Sequence, residues 1–443
     1  MKHNKYHHEM FALFYFPMFA SESERTWRSL EDNEERQPKK KRGSMSNRVL
    51  EFSEEGILEA SRLLAEGKLV AFPTETVYGL GANALDEEAC MSIFQAKGRP
   101  LTDPLIVHVA DIERSAGLVD VTEEEDRVFK MLGNRFWPGP LTLIVRASSL
   151  IPSKVTAGTG FVGIRSPAHP VAKRLLTVSG LPLAAPSANR FGHVSPTRAE
   201  HVMSDLGSKD VWVLDGDTLD LSEDTCRHGI ESTVVKIDAA RSTLVILRQG
   251  AISREELKTC LDEGGVVWKT EVVTRAVKMH ADGVTQDMAV PSSVTNVPVP
   301  DSATAVEKGE VAPGQAITHY APDVPCFLYA SDEEASGDGD DVNKSVMTAV
   351  EAKESLVVID FGGQLMAFKD ELCKAYRDMS PTGDAREAAR DLFGVLRWAE
   401  IIPGAKVVLV ASVVGVVDRP LGPGLADRIM RATSGRRMNI TFK

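Results

Sequence analysis

The sequence predicts an α/β protein in two parts: a twisted mixed-sheet domain, then a smaller Rossmann-like α/β domain of doubly wound character. Three observations predict it. Short apolar, β-branched runs alternate with stretches of helical periodicity from about residue 50 to residue 255, a Ser-, Thr-, Pro- and Val-rich segment interrupts them over residues 256–312, and the alternation then returns. With 443 residues and 43% hydrophobic content, the chain can bury two ordinary cores.

Residues 1–46 are polar, charged and unpatterned, and read as a disordered leader. Their one apolar run, MFALFYFPMFA at 10–20, is shorter than the roughly 20 residues of a spanning helix and is broken by Pro17. Glu9, Glu22 and Glu24 flank it, which sits badly with a secretory signal or an acid-poor transit peptide. Met45 offers an alternative start, and PKKKR at 38–42 is either a nuclear import signal or a solvated charge cluster.

The first domain is expected over residues 47–255. Ile57, Leu58, Ala60, Leu63 and Leu64 recur at helical spacing, Gly67 supplies a stop, and LVAF follows as a buried strand. PLIVHV, LTLIV, VGIR, VWVL, STVVKI and TLVILR are further strands, separated by helical stretches such as 168–178. A linker over residues 256–324 ends in PGQAITHYAP. The second domain, residues 325–443, has the strands PCFLYA, SLVVIDF and AKVVLVASVVGVV, an acidic loop DEEASGDGDD after the first of them, and a closing helix GLADRIMRATSG. No solenoid-length repeat is visible.

The net charge of −12 argues against a protein that coats duplex nucleic acid, while leaving room for a local basic pocket. The five cysteines are widely spaced and form no CxxC, so neither a disulfide framework nor a zinc site is suggested, and reduced thiols are expected. There is no G-x-x-x-x-G-K-[ST], and no G-x-G-x-x-G follows a strand. Any nucleotide must be held some other way.

Four clusters carry potential chemistry. In AKGRPLTDPLIVHV, Lys97 and Arg99 flank Gly98 after a helical stretch ending near Ala96; a guanidinium fork beside a mobile ammonium suits a polyphosphate, although a surface salt-bridge face is the bland alternative. In APSANRFGHVSPT, Ser187, Asn189, Ser195 and Thr197 are small hydrogen-bonding groups among Pro and Gly, or an ordinary polar turn. In FPTETVYGLGANA, strand alternation would put the Thr74 and Thr76 hydroxyls on one face. Arg165 and Arg248 end apolar strands, near Ser232 and Thr233 of GIESTVV; a buried arginine needs an anion, either a structural carboxylate or a ligand.

Taken in order, these stretches resemble the YrdC-like family, and specifically its two-domain threonylcarbamoyl-AMP synthases. The resemblance covers roughly residues 50–255 through PTETVYGLGANA, KGRPLTDPLIVHV, WPGPLTLIV, GIRSPAHP, PSAN, SPT, GIESTVV and LRQGAI, and resumes through PGQAITHYAP and GPGLADRIMRA. It implies a YrdC-like catalytic domain and an enzyme, a nucleotidyltransferase, that joins L-threonine, bicarbonate or CO2, and ATP into threonylcarbamoyl-AMP and pyrophosphate. The product would pass to a tRNA threonylcarbamoyl transferase complex for modification of ANN-decoding tRNAs. By the same resemblance, Lys97 and Arg99 are the catalytic, phosphate-binding pair, and Asp103, Ser187, Asn189, Ser195, Arg248 and Tyr320 also surround ATP. Thr76, His108, Arg165, Ala185 and Ser232 form the threonine side, with Tyr320 folding over the site as part of a lid. Magnesium is implied as the companion of ATP, with no carboxylate pair marking a dedicated protein site. Expected too are a cytoplasmic location, with an organellar or nuclear pool left open, a weak RNA contact and no membrane association.

The sequence departs from the family pattern at Phe161, Phe191 and Ile317, and at Asp103, whose ATP contact is thereby put in doubt. Two other readings remain open at this level: a related carbamoyl transferase, which would carry acylphosphatase-like, zinc-finger or large catalytic partner domains, and a non-catalytic RNA-binding module. ATP consumption that depends on L-threonine separates them.

Overall fold

In the computed structural model, residues 48–216, 226–273, 277–279, 285–287, 312, 319–331 and 342–443 are described. The expectations for residues 1–46, for the acidic loop and for residues 313–318, Ile317 included, lie outside them.

The first domain opens with β1 (Val49–Glu51) and α1 (Glu54–Ala65), whose Ser53 cap accepts the Gly56 N–H and whose buried stripe is Ile57, Ala60, Leu63 and Leu64. It continues through β2 (Leu69–Phe72), β3 (Gly79–Asn83), α2 (Glu87–Lys97), β4 (Ile106–His108), α3 (Glu123–Phe136), β5 (Leu141–Arg146), β6 (Phe161–Arg165) and α4 (Pro170–Ser179). Then come β7 (Leu183–Ala184), α5 (Ala199–Leu206), β8 (Val211–Asp215), β9 (Thr233–Asp238), β10 (Thr243–Arg248), α6 (Arg254–Glu263) and β11 (Lys269–Val272). The strands form one mixed sheet of order β1-β8-β2-β3-β7-β4-β6-β5-β9-β10-β11. Its near-continuous apolar strands and the inner stripes of the helices make the first core.

The sequence reading ended this domain at residue 255 and began the linker at 256. In the structure the sheet itself continues past that point. A Ser253–Glu256 capping box starts α6, and β11 pairs in parallel with β10, so the sheet runs on to Val272. The signal is weak because α6 buries only Leu257, Cys260 and Leu261, and because β11 is a short, polar edge strand.

An antiparallel pair, β12 (Val277–Met279) and β13 (Thr285–Asp287), follows. The C-terminal domain contains β14 (Cys326–Tyr329), β15 (Val342–Met347), α7 (Ala349–Ser355), β16 (Leu356–Asp360), β17 (Ala375–Asp378), α8 (Ala385–Glu400), β18 (Val407–Val410), α9 (Gly422–Ala432) and β19 (Arg437–Phe442). Its six strands are all parallel, in the order β15-β19-β14-β18-β16-β17.

The two domains share a core. Val77, Val194 and Ile230 of the first domain cluster with Tyr320 and with the buried faces of α8 and α9. Contact is close enough that a Cβ on Gly229 would lie 2.2 Å from Ala389 O, and Gly229 also sits at φ +65°, so only glycine suits the position. All five cysteines are buried with no disulfide among them. Among the described residues no helix is long and apolar enough to cross a membrane.

Candidate active site

A cleft opens where the carboxyl ends of β4 and β6 meet the Thr74–Gly79 loop, the segment after β7, the start of β9 and the end of β10. In parallel register His108 lies opposite Arg165, which brings both side chains to the cleft from neighbouring strands. A β-bulge between Ile246 and Arg248 re-aims the last residue of β10 into it.

The two threonines do not sit on a strand, because β2 ends at Phe72. Thr74 Oγ1 instead closes a turn, accepting from the N–H groups of Thr76 and Val77 at 3.2 Å each and donating to Val77 O at 2.7 Å. The expected pairing of hydroxyls still occurs, at 2.8 Å. Thr76 Oγ1 also accepts from Arg165 Nη1 at 3.1 Å.

Arg165 is held by a carboxylate and still faces the cleft. Its Nη2 lies 2.6 Å from Glu75 Oε1, while Glu75 Oε2 accepts the Ala168 N–H at 2.9 Å. Burial opposes ionisation of Glu75, but the Arg165 charge outweighs it and holds the carboxyl below its usual range. Arg248 differs. Its Nε and Nη2 donate to Ser232 O and Oγ at 3.0 and 3.1 Å, and among the described residues no carboxylate forms an ion pair with it. Burial accordingly lowers its pKa.

Arg99 also lines the cleft. Gly98, at φ +66°, ends α2 in the left-handed conformation and turns the chain so that Arg99 packs inward, donating to Asp103 O and Pro104 O at 3.0 and 2.7 Å and pairing with Asp103 Oδ1 at 2.9 Å. His108 is kept neutral, its pKa pushed down to about 3 by burial and then by the Arg165 charge.

The C-terminal domain reaches this site. Arg428 of α9 is fully buried, with Nε 3.0 Å from Glu231 Oε2, Nη1 donating to Gln249 O at 2.6 Å, and its guanidinium 5.6 Å from the Tyr320 ring centroid. Burial disfavours its charge, but Tyr320, Glu231 and Asp427 outweigh that and raise its pKa. Glu231 lines the cleft and takes the Ser195 hydroxyl on its other oxygen at 2.6 Å. Tyr320, itself at φ +63°, roofs the cleft between His319 and Phe393, at centroid distances of 4.2 and 5.3 Å.

A family model described as telomere recombination (Sua5/YciO/YrdC) matches residues 62–250, and one described as threonylcarbamoyl-AMP synthase, C-terminal domain, matches residues 252–434. The threonylcarbamoyl-AMP synthase of Pyrococcus abyssi is 35% identical over 383 residues, covering 86% of this chain and 95% of the relative. That of Bacillus subtilis is 39% identical over 274 residues, covering 61% of this chain and 66% of the relative. The crystal structure of P. abyssi Sua5 complexed with L-threonine superimposes with a TM-score of 0.65 at 33% identity, covering 89% of this chain and 99% of that one. The chain belongs to the threonylcarbamoyl-AMP synthase family.

It is therefore an enzyme, and the YrdC-like and Rossmann-like parts expected from the sequence are those of this family. Of the residues assigned to a threonylcarbamoyl-AMP synthase site by resemblance, Thr76, Arg99, His108, Arg165, Ala185, Ser187, Ser232, Arg248 and Tyr320 line one cleft. Lys97, Asp103, Asn189 and Ser195 stand behind its wall. Lys97 Nζ is committed to Ser187 O, Asn189 O and Asn189 Oδ1 at 2.5, 2.6 and 3.3 Å, which uses all three of its donors. Asn189 in turn accepts from Ser187 Oγ and donates to Arg190 O and His193 O. Lys97 and Asn189 thus brace the PSAN loop, while Asp103 pairs with Arg99 and Ser195 with Glu231.

Four lining or supporting residues had no signal of their own in the sequence: Glu75, Glu231, His319 and Arg428. His319 is the clearest, since it adjoins Tyr320 in an otherwise quoted motif. It is buried beside Arg99 and Lys97, its Nδ1 lacks a hydrogen-bond partner, and burial and those charges hold its pKa well below the ordinary value. Phe191, a departure from the family pattern, packs edge-on against it at 5.9 Å. Phe161, another, lies under Lys236 Nζ at 4.3 Å.

Proposed function

We propose that this cleft carries out the family reaction as a nucleotidyl transfer, forming threonylcarbamoyl-AMP and pyrophosphate from ATP, L-threonine and bicarbonate or CO2. Arg248 carries the reading: a buried guanidinium with no carboxylate within ion-pair distance among the described residues, beside Arg99 and Arg165 in the same cleft, fits a polyanionic substrate.

The carbamate oxygen of N-carboxy-threonine attacks the α-phosphorus of ATP, the bond to the bridging oxygen of the β-phosphate breaks, and pyrophosphate leaves. The chain's task is to hold charge in place. Arg99 and Arg248 take the phosphate side, where negative charge shifts onto pyrophosphate in the transition state. Thr76, neutral His108, Arg165 and Ser232 take the threonine side, where the Arg165 charge suits the substrate carboxylate. The P. abyssi structure complexed with L-threonine supports this amino acid as substrate. Among the described residues the only carboxylate lining the cleft is Glu231, which is already bonded to Ser195 and Arg428. Magnesium would be held by the nucleotide phosphates and would supply charge neutralisation there, and no protein cage is assigned to it. The product goes to a tRNA threonylcarbamoyl transferase complex, in the cytoplasm.

Mass spectrometry of the full-length protein with ATP, L-threonine and 13C-bicarbonate tests this. Labelled threonylcarbamoyl-AMP is expected, dependent on both co-substrates. ATP turnover indifferent to threonine would overturn the reading.

A further inference from the structure

One charged cluster lies outside the cleft and joins the two domains. His193, in the loop before α5, is buried, with Nδ1 2.8 Å from Asp205 Oδ2 of α5 and Nε2 2.7 Å from Glu400 Oε1 at the end of α8. A ring that meets a carboxylate at each nitrogen donates at both, and so carries the imidazolium charge. Asp205 is further clamped by Arg397 of α8, at 3.1 and 3.0 Å, and Arg397 reaches Val194 O as well. Arg190 pairs with Asp323 at 2.9 Å, and the Asp323 N–H donates to Glu400 Oε1 at 2.7 Å. Arg198 and neutral His201 complete the charged and titratable surroundings on the α5 side.

The same loop holds the roof of the cleft. Gly192 O accepts the Ala321 N–H at 3.0 Å, and His193 bridges Ala321 in parallel fashion, one residue beyond Tyr320. The linker backbone is thus pinned on one side by the His193 loop and on the other, through Asp323, by Glu400.

We infer that His193 is a positioning residue for the roof: its doubly protonated ring ties the first domain to Glu400 and the linker, and loss of one proton loosens the Tyr320 segment over the cleft. The direction follows from the contacts. A neutral ring keeps one N–H, which Asp205 retains because Arg397 fixes it, so a lone pair then faces the Glu400 carboxylate. Burial disfavours the charged ring, but the hydrogen bonds to Asp205 and Glu400 outweigh it and raise the pKa to about 8 from the ordinary 6.5. A raised histidine pKa stabilises the closed arrangement fully below the ordinary value, and that stabilisation is lost as pH rises through about 8.

The inference concerns closure rather than chemistry, so it is read without turnover. In the full-length protein, hydrogen exchange of the Ala321 and Asp323 amides, corrected for the intrinsic effect of pH, is followed from pH 6 to 9.5, together with the NMR titration of the His193 ring. Protection is expected to fall with a midpoint near 8, coincident with the ring titration, and Glu400→Gln should move both midpoints lower. Protection independent of pH, or a ring already neutral at pH 6.5, overturns the inference. If Glu400→Gln does not fold, the wild-type coincidence of the two curves decides alone.

Discussion

Arg248 donates to both the carbonyl and the hydroxyl of Ser232, and this pair of neutral oxygens is all the anchoring its buried guanidinium receives from the described residues. Arg165, at the end of β6, has Glu75. The difference divides the two arginines that sequence alone left undecided between structural pairing and ligand binding. Arg165 has a structural carboxylate partner and still faces the cleft, while Arg248 has only neutral hydrogen-bond partners among the described residues.

Replacing Arg248 with Met should therefore separate stability from function. The ligand-free protein is expected to melt at the same temperature or higher, because a desolvated charge is removed, while kcat/KM for ATP falls about a hundredfold or more. Calorimetry and pyrophosphate release measure the two effects. A large loss of stability with little loss of turnover would show Arg248 to be structural.

Lys97→Met should behave in the opposite way. Its three acceptors belong to the PSAN loop, so the substitution leaves buried carbonyls unpaired and should lower the stability of the ligand-free protein by about 2–4 kcal/mol. ATP binding weakens as a consequence of the loosened loop. Unchanged melting in the absence of ATP, with turnover lost, would instead return Lys97 to a direct phosphate role.

Much of this architecture was legible in the chain. The strands from Leu69–Phe72 to Thr243–Arg248 announced themselves as apolar runs, and motif resemblance brought most cleft residues together before any geometry was known. What the sequence hid was depth. Lys97, Asn189 and Ser195 are polar residues in a Gly/Pro-rich setting whether they face a ligand or the wall behind it, and only the fold shows their hydrogen bonds used up internally. Arg428 was invisible for a related reason: in GLADRIMRA it reads as the polar side of an amphipathic helix, yet its partner Glu231 lies 197 positions away. The continuation of the sheet past residue 255 was hidden because a three-residue apolar stripe and a polar edge strand barely register as pattern.

Buried neutral histidines set the acid limit of the fold. His108 titrates near 3 and His319 well below its ordinary value, so the unfolded chain binds more protons than the folded one below about 6.5. Stability should fall as pH drops through that region, by up to about 1.4 kcal/mol per pH unit for each such histidine. Urea denaturation at pH 7 and pH 5 checks it. The same depression means that kcat/KM for threonine should show no His108 ionisation between pH 5 and 8.

The Tyr320 ring is buried between Phe393 and the Arg428 guanidinium, and it also lines the cleft, so one side chain packs the domain interface and covers the cleft. Tyr320→Phe keeps the ring and should stay within about 1 kcal/mol of wild type, whereas Tyr320→Ala should cost about 3–5 kcal/mol and open the cleft to water. Water reaching a mixed anhydride hydrolyses it, so the alanine variant should release AMP and threonine in place of intact threonylcarbamoyl-AMP, at nearly unchanged ATP binding. A catalytic domain cut after Val273, which keeps α6 and β11 in the sheet, should show the same product loss. The ratio of intact adenylate to AMP, followed by mass spectrometry over the reaction, is the measurement; a ratio equal to that of the full-length protein in both forms would remove the lid from the mechanism.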